Sequence, residues 1–319
     1  MKPPYEITNE ILKLTSSISE KIGEIKSAKL IKPPTELRKR NRIKSIQSSL
    51  EIEGNTLTIE QITDLINNKR VLAPQKDITE VKNAIELYAK LNEFNAFDLD
   101  SLCSAHGILM NTLIENPGKF RSTAVGIIKG DNITHIAPPG DMVYALMNDL
   151  FDYLKNDKDL LLIKSCVFHY EFEFIHPFID GNGRMGRLWQ TVILKNYSPV
   201  FEYLPIESLI KERQQDYYDV LGTSDNLGNS TGFIEFMLDI INITLEDLLK
   251  TQNHTLTSTD RIDAFKNIIG SELFTRQDYL RHNKEISTAT ASRDLKEAVD
   301  NQIIDKTGDK RLTKYRYKN

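Results

Sequence analysis

This 319-residue sequence has only two cysteines and no long apolar runs, and both features limit the class of protein to which it can belong. The two cysteines, Cys103 and Cys166, cannot build the disulfide framework of a small secreted domain, and they favour a reducing compartment. No apolar stretch approaches the roughly 20 residues that span a bilayer. The first eight residues, Met-Lys-Pro-Pro-Tyr-Glu-Ile-Thr, contain no apolar signal-peptide core. We therefore expect a cytoplasmic protein that makes no membrane contact.

Overall charge and composition exclude little more. Hydrophobic residues make up 40% of the chain and charged residues 27%, which are ordinary values for a globular protein. The formal net charge of −4 gives no general case for binding nucleic acid or a membrane surface. A chain of this length has room for two or three domains. The function must therefore be sought in local motifs.

Helical periodicity dominates the sequence, so we predict a mostly α fold. An amphipathic stretch runs from Ile7 to Ile25, and further helices are predicted at roughly 36–53, 58–68, 77–94 and 99–113. Residues Phe120 to Ile136 differ, because they are rich in β-branched residues and contain the turn sequence Gly130-Asp-Asn132. We predict a β-hairpin there. Two polar-tipped residues in helical segments, His106 and Trp189, are expected to belong to the core.

One segment concentrates groups that carry chemistry. Residues 176–187 read His-Pro-Phe-Ile-Asp-Gly-Asn-Gly-Arg-Met-Gly-Arg. Glycines let the backbone approach phosphate closely, and successive amides there can form an anion-binding concavity. The helix-compatible residues that follow would put this loop before a helix N-terminus, where free amides favour negative charge. Arg184 and Arg187 share one helix face and offer two planar donor forks to phosphate oxygens. The segment predicts a nucleotide polyphosphate site beside a histidine that accepts a proton.

The same residues allow three other interpretations: a dinucleotide-binding site, a zinc site, or a turn with no binding role. Gly181-x-Gly183-x-x-Gly186 matches a dinucleotide-binding fingerprint, but that fingerprint needs a preceding strand and a βαβ context. His169, Glu173 and His176 have helix-like spacings that would suit zinc, but Pro177 predicts that the helix ends near His176. A solvated Gly/Asn-rich turn would leave the ordered set of histidine, aspartate, glycines and arginines as coincidence. Phosphate binding explains the most residues.

The segment resembles the signature of the Fic family, His-x-Phe-x-Asp/Glu-Gly-Asn-Gly-Arg-x-x-Arg, and matches every fixed position. The resemblance extends over roughly residues 40–245. It implies a Fic-type helical core that transfers AMP from ATP, with Mg²⁺, to a Ser, Thr or Tyr hydroxyl of a protein. A family branch that acts as a kinase departs from the Gly-Asn-Gly sequence, which this chain retains.

The resemblance assigns a role to each residue of the signature. His176 would be the general base, and an imidazole, which ordinarily titrates near pH ~6.5, suits that task. Asp180 would hold Mg²⁺ through a hard oxygen ligand, and Phe178 would anchor the loop in the core. Arg184 and Arg187 would bind the outer phosphates. The phosphate cradle would be formed by Gly181, Asn182 and Gly183.

A second motif lies upstream. Ser49-Leu-Glu-Ile-Glu53-Gly54 resembles the Fic inhibitory pattern Ser/Thr-x-x-x-Glu-Gly/Asn. Ser49 and Glu53 share a helix face, Gly54 is a suitable terminator, and a carboxylate at that helix end needs a cationic partner. The resemblance implies an inhibitory helix at about 41–53, in which Glu53 pairs with Arg187 and denies the γ-phosphate its anchor. Without that partner, Glu53 would be an ordinary solvated carboxylate.

Two substrate contacts are implied by the same resemblance. The hairpin would act as a flap that adds the target's backbone as an extra strand, and the alternative is an ordinary hairpin. Its docking residues would be Ile133, Thr134 and His135. The segment from Arg213 to Asn226 would wall the adenine pocket, with Tyr218 as the ring contact. Asp225 stands where some relatives have Asn, and an ionised carboxylate accepts hydrogen bonds but cannot donate them.

The C-terminal residues resemble a winged helix-turn-helix domain. After a polar linker at 251–260, helical segments near 260–270, 275–281 and 287–300 precede a predicted hairpin between Ile303 and Tyr317. The hairpin is basic, which would suit DNA phosphates, although winged helices also dock proteins. Its cations are Lys306, Lys310, Arg311, Lys314, Arg316 and Lys318. We therefore predict three regions: N-terminal helices at 1–95, a Fic catalytic core at 96–250 and a winged-helix domain at 255–319.

We expect a protein adenylyltransferase that uses ATP and Mg²⁺ and is inhibited by Glu53. Its target would be a protein with a hydroxyl side chain, and the chain itself is one candidate. The alternatives are transfer of another nucleotide, removal of AMP from a modified protein, and a DNA-binding regulator whose core only senses nucleotide. A pure sensor has no need of His176, but shared phosphate chemistry does not separate the enzymatic alternatives. The sequence also leaves open whether the chain forms a homodimer.

Overall fold

The computed structural model describes residues 2–28, 31–123, 126–129, 132–255, 258–283, 286–308 and 313–318. For 126–129, 132–136, 251–255 and 267 the description covers the backbone only. The chain divides into two compact units, residues 1–246 and 247–319. The ranges predicted as separate regions, 1–95 and 96–250, pack together in the first unit up to residue 246.

The first unit is helical apart from one hairpin. Its strands, β1 (Gly126–Lys129) and β2 (Asn132–Ile136), are antiparallel, with Gly126 opposite Ile136 and Lys129 opposite Asn132. Its helices are α1 (Asn9–Ser27), α2 (Thr35–Ile52), α3 (Ile59–Ile66), α4 (Gln75–Ala89), α5 (Leu99–Leu109), α6 (Val143–Asn156), α7 (Leu161–Ile175), α8 (Asn182–Tyr197), α9 (Ile206–Glu212), α10 (Gln214–Leu227) and α11 (Thr231–Thr255), which continues into the second unit.

Helix α7 forms the centre of the first unit, and α8 packs along it. Most of α7 is buried on all sides, which is why its sequence is apolar without a helical period. Aromatic rings fill the space around it, including Phe168, Phe172 and Trp189, none of which has exposed surface. The expected core position of Trp189 is confirmed, and its Nε1 donates to Ala96 O at 3.2 Å. The connection between α7 and α8 is therefore held by a packed core.

After the end of α11, the described part of the second unit has the helices α12 (Ser258–Ile269), α13 (Arg276–His282) and α14 (Thr288–Asp300), followed by a hairpin. Strands β3 (Ile304–Thr307) and β4 (Lys314–Tyr317) pair antiparallel. The order of these elements matches the prediction, although Lys310 and Arg311 lie outside the described residues. Both units together give a mostly helical fold with a small C-terminal hairpin. No helix among the described residues is long and apolar enough to cross a bilayer.

Candidate active site

The candidate site begins where α7 ends. The helix stops at Ile175, and His176 adopts the left-handed conformation with φ 49° and ψ 60°. Its backbone N–H still donates to Phe172 O at 3.0 Å. The next residue, Pro177, lacks an N–H and disfavours a helical residue before it, so the chain must turn here. The predicted helix end near His176 is confirmed, and it excludes a zinc site that requires a continuous helix through His176.

Phe178 anchors the loop beneath its solvent-facing residues. Its ring is fully buried and stacks on His106, with ring centroids 3.6 Å apart and planes 4° from parallel. The Asn182 side chain bonds Phe178 on both sides, accepting from its N–H at 2.9 Å and donating to its carbonyl at 2.9 Å. The side chain of Asn182 is thus committed to the loop, and only its backbone N–H could contribute to the predicted phosphate cradle.

Gly181 forms the junction between the loop and α8. Its φ of +85° is unfavourable for other residues, and an added Cβ would lie 2.8 Å from Met110 Sδ. Helix α8 starts at the next residue, so Asn182 and Gly183 belong to its first turn rather than to a loop. No side chain caps this helix N-terminus. A helix N-terminus of this kind favours an anion, and its use for phosphate stays a prediction.

Arg187 lies one turn into α8 and contacts the predicted inhibitory motif. Its Nη2 donates to Glu53 Oε1 at 2.7 Å and to Ser49 O at 3.0 Å, and its Nε donates to Ser49 Oγ at 3.3 Å. Arg187 is buried, whereas the Glu53 side chain keeps 34% of its surface exposed. Burial acts to lower the pKa of Arg187, but the charge of Glu53 and its hydrogen bond outweigh burial and raise the pKa. The guanidinium therefore stays charged.

The Glu53 carboxylate covers the N-terminus of α8. A Cβ added to Gly183 would lie 2.5 Å from Glu53 Oε1 and 3.1 Å from Arg187 Nη1. Helix α2 ends at Ile52, and Glu53 is its C-cap residue, so the carboxylate projects from a helix end onto a helix start. The end of α2 disfavours a carboxylate, whereas the positive partial charge at the start of α8 and the Arg187 guanidinium favour one. A carboxylate thus lies directly against the first turn of α8.

Arg184, the other signature arginine, is also engaged by carboxylates. Its Nη2 donates to Asp180 Oδ1 at 3.1 Å and its Nη1 to Glu80 Oε1 at 3.3 Å. Glu80 is itself buried and accepts from Asn55 Nδ2 at 2.8 Å. Among the described residues, the Nε atom of Arg184 is buried without a hydrogen-bond partner. Carboxylates therefore accept from both terminal nitrogens of this arginine, while its Nε is an unused donor.

Asp180 is the most accessible charged residue of the loop. Half of its side chain is exposed, and its Oδ1 accepts from Gly181 N at 2.5 Å as well as from Arg184. No cluster of three or more His, Cys, Asp or Glu side chains in the described part of the chain could hold a metal ion. A lone exposed carboxylate suits Mg²⁺ that arrives with a nucleotide, because that ion keeps several waters and takes further oxygens from phosphates.

The predicted adenine-pocket residues lie on α10. Tyr218 is partly exposed, while its neighbour Tyr217 is buried and bonds His169. Asp225 accepts from Tyr170 OH at 3.0 Å, so this carboxylate is already partnered from α7. Burial, assisted by the charge of Asp225, raises the pKa of Glu171 to about 7. The predicted adenine-binding side of the site therefore contains two neighbouring carboxyl groups.

The predicted docking residues Ile133, Thr134 and His135 all lie on β2. The antiparallel hairpin that the sequence predicted is present, with a register irregularity between Ile127 and Ile128. The side chains of the three docking residues lie outside the description. Their selection as docking residues stays a prediction.

Sequence reasoning missed the residues that hold the loop from below. His106 is a core residue as expected, but it also accepts from Gly118 N at 2.8 Å through Nδ1, so its Nε2 carries the proton that it donates to Asp180 O at 2.9 Å. Arg121 binds the backbone of His176. The bond from His106 to Asp180 joins residues 74 positions apart and the bond from Arg121 to His176 residues 55 positions apart, and no spacing in the sequence signals either.

Similarity to known proteins agrees with this geometry. The Fic/DOC family model matches residues 96–194. The crystal structure of a Fic family protein from Desulfovibrio desulfuricans G20 is 40% identical, covers 100% of this chain and 99% of that chain, and superposes with a TM-score of 0.77. Fic-1 from C. elegans shares the fold at a TM-score of 0.63 and 19% identity, with 76% of this chain and 73% of that chain covered. The chain belongs to the Fic family.

Its curated relatives carry a more specific description. Protein adenylyltransferase fic-1 of Caenorhabditis briggsae is 28% identical over 207 residues, 60% of this chain and 38% of the relative. A probable protein adenylyltransferase of Aquifex aeolicus is 28% identical over 213 residues, 59% of this chain and 65% of the relative. The chain spans about two fifths of the length of the first of these relatives. Distant members of its family are therefore protein adenylyltransferases.

Proposed function

We propose that this chain is a protein adenylyltransferase that transfers AMP from ATP to a protein hydroxyl. The observation that carries the proposal is the uncapped N-terminus of α8, with Arg184 and Arg187 on its first turns and His176 at the end of the preceding helix. Free amides and two guanidinium groups would bind the polyphosphate through hydrogen bonds and charge. The histidine would accept the hydroxyl proton.

In the proposed reaction, the target hydroxyl gives its proton to His176 and its oxygen attacks the α-phosphorus of ATP. The bond from the α-phosphorus to the bridging oxygen breaks, and pyrophosphate leaves with the electron pair. Asp180 would hold Mg²⁺, which when bound neutralises phosphate charge. The products are one AMP ester, one pyrophosphate and one proton. General base catalysis of this kind contributes about 10²–10⁴-fold.

We further propose that the wild-type chain is autoinhibited. The 2.7 Å contact between Arg187 and Glu53 supports this, because the carboxylate uses the donor that the γ-phosphate needs. Helix α2 is also held from its other side: buried Glu207 of α9 accepts from Ser45 Oγ at 2.8 Å. Glu53 is therefore presented by an anchored helix. Activation requires removal of the carboxylate or displacement of the end of α2.

The test is incubation of the wild type and the Glu53→Gly variant with each labelled nucleotide, followed by mass spectrometry of modified residues. Adenylyl transfer predicts an added AMP on Ser, Thr or Tyr with ATP and Mg²⁺. Addition of another nucleotide, or loss of AMP from a pre-modified protein, would support the alternative activities of the same site. No covalent change in any reaction would leave nucleotide sensing as the better description.

For the second unit we propose DNA binding through α14. Residues 247–319 contain 14 lysines and arginines against 11 aspartates and glutamates, in a chain whose overall charge is negative. Arg276 and Arg281 of α13 and Arg293 and Lys296 of α14 are exposed. Affinity for mixed duplex DNA should fall steeply with salt, and the double change Arg293→Gln, Lys296→Gln should reduce that slope by about 2. Absence of binding at low salt would favour a protein-docking role.

A further inference from the structure

Arg121 forms a cluster of bonds to backbone carbonyls at the candidate site. Its buried guanidinium donates from Nε to His176 O at 2.7 Å and from Nη2 to Ile175 O at 3.0 Å. It also donates from Nη1 to Thr123 O and from Nη2 to Pro138 O, both at 2.7 Å. One side chain therefore joins three separate segments of the chain.

The charge of Arg121 is balanced by dipoles rather than by a counter-ion. Among the described residues, no carboxylate lies within ion-pair distance of it. Ile175 and His176 supply carbonyls from the C-terminal end of α7, where the helix dipole favours a cation. Burial lowers the pKa of Arg121, but an arginine side chain remains charged. A planar fork that bonds four carbonyls fixes their relative positions more firmly than a single flexible ammonium could.

The first consequence concerns His176. A left-handed conformation is unfavourable for a non-glycine residue, so the surroundings must hold His176 in it. The Arg121 side chain holds the peptide groups on both sides of His176, because it bonds the carbonyls of Ile175 and His176. The next carbonyl, that of Pro177, accepts from the Arg121 backbone N–H at 2.9 Å. The backbone direction at His176 determines where its imidazole points.

The second consequence concerns the hairpin. Thr123 precedes β1 and Pro138 follows β2, so Arg121 bonds the chain on both sides of the hairpin. The same guanidinium thus sets the position of the hairpin base relative to His176. If a target chain docks on β2, this relation decides whether its hydroxyl reaches the base.

We propose that Arg121 is a positioning residue for adenylyl transfer, which aligns His176 with the strand on which the target docks. The proposal rests on the proposed function. Arg121 contacts neither Arg184, Arg187 nor the start of α8, so its loss should leave nucleotide binding intact. Misplacement of a base by about 1 Å can cost 10²-fold in rate. We therefore expect Arg121→Ala to lower kcat roughly 10- to 100-fold and to change the KM for ATP little.

The experiment uses the full chain with Glu53→Gly, so that transfer is measured without inhibition. Arg121→Ala and Arg121→Lys are compared for self-modification by labelled ATP, and methylguanidine is added to the alanine variant. We expect intermediate activity for lysine and partial rescue by methylguanidine. The matched control is Lys164→Met, since Lys164 is a buried cation that bonds Leu154 O and Asp157 O at the other end of α7. It should lower thermal stability and leave transfer unchanged.

A second measurement does not depend on activity. In spectra of ¹³C-labelled histidine, the His176 imidazole signal should shift and broaden in both Arg121 variants, while the signal of His282 in the second unit stays unchanged. A folded Arg121→Ala variant with an unaltered His176 signal would overturn the proposal. So would an equal loss of ATP binding and transfer. If the Glu53→Gly parent transfers no AMP, the proposed function fails, and the His176 signal alone decides the role of Arg121.

Discussion

Replacement of Glu53 by glycine is the most direct test of the contact between the two motifs. The change removes the carboxylate that bonds Arg187 Nη2 at 2.7 Å, but it leaves the two bonds from Arg187 to Ser49. The guanidinium therefore stays in position and gains a free donor. Space also opens at the start of α8, because Glu53 Oε1 lies 2.5 Å from the position of a Gly183 Cβ.

The size of the effect follows from the type of bond that is released. A charge-assisted hydrogen bond is worth ~1.5–3 kcal/mol, and ~1.4 kcal/mol corresponds to a tenfold change. Glu53 keeps a third of its side-chain surface exposed, which weakens the pair and favours the lower half of that range. We expect adenylyl transfer to rise by about one to one and a half decades. A larger gain would mean that the carboxylate also blocks the phosphate sterically.

The assay is self-modification with labelled ATP in a set of matched variants. Glu53→Gln removes the charge but keeps the shape, so it separates electrostatic competition from steric block. Glu51→Gln is the control, because Glu51 lies at the same helix end but pairs with Lys211 at 3.2 Å. Arg187→Ala in the Glu53→Gly background should cancel the gain, since the released donor is then absent.

Stability gives an independent reading of the same change. Without Glu53, a buried guanidinium loses its ion-pair partner, so Glu53→Gly should melt at a lower temperature than the wild type. Added ATP should raise its melting temperature more than that of the wild type, because tighter binding to the folded state stabilises it further. A Glu53→Gly variant that is folded, no more active than the wild type and no more stabilised by ATP would refute autoinhibition.

Three further predictions address the loop and its support. His176→Ala should leave ATP binding nearly intact and lower transfer by about 10²–10⁴-fold; unchanged modification in the variant would exclude His176 as the base. Asp180→Ala should weaken the Mg²⁺ dependence of ATP binding in calorimetry, because the exposed carboxylate is lost; an unaltered dependence would rule out this ligand. Burial lowers the pKa of His106 to about 4 and that of His169 to about 3. As pH falls below ~6.5, both histidines therefore become protonated in the unfolded chain before they do in the folded protein. Each histidine should therefore reduce the free energy of unfolding by about 2–3 kcal/mol between pH 6.5 and 4.5. Glu171 has the opposite effect, because its pKa, raised to about 7, makes the folded protein bind a proton before the unfolded chain does. In urea unfolding at several pH values, Glu171→Gln should therefore steepen the fall of the unfolding free energy with decreasing pH. An unchanged pH dependence would contradict the assignment.

The sequence was sufficient wherever a function depends on residues close together in the chain. The signature from His176 to Arg187 could be interpreted because loop, glycine junction and helix start follow one another without interruption. The four-residue spacing of Ser49 and Glu53 likewise predicted that both would face one partner, and both contact Arg187. Local order also identified the hairpin and the elements of the second unit.

The sequence did not define the helix boundary within the signature. The cradle of Gly181, Asn182 and Gly183 stays a prediction, but these residues do not have the same place in the fold. In the structure, only Gly181 is outside α8, and the Asn182 side chain bonds Phe178. Propensity could not reveal this, because glycine and asparagine are poor helix formers and the start of α8 is fixed by packing of Met185 and Leu188 in the core.

The residues that support the site were beyond the reach of sequence for a different physical reason. His106 and Arg121 act on Asp180 and His176 through main-chain carbonyls. Every residue has a carbonyl, so a donor that binds one leaves no complementary residue type for a pattern to detect. A side-chain pair such as Glu53 and Arg187, in contrast, requires two complementary residue types, and both can be detected in the sequence. It follows that an intact signature reports which groups can react but not whether they are aligned. A chain that kept every signature residue and lost Arg121 would still match the motif. By the reasoning above, it would bind ATP normally but transfer AMP poorly.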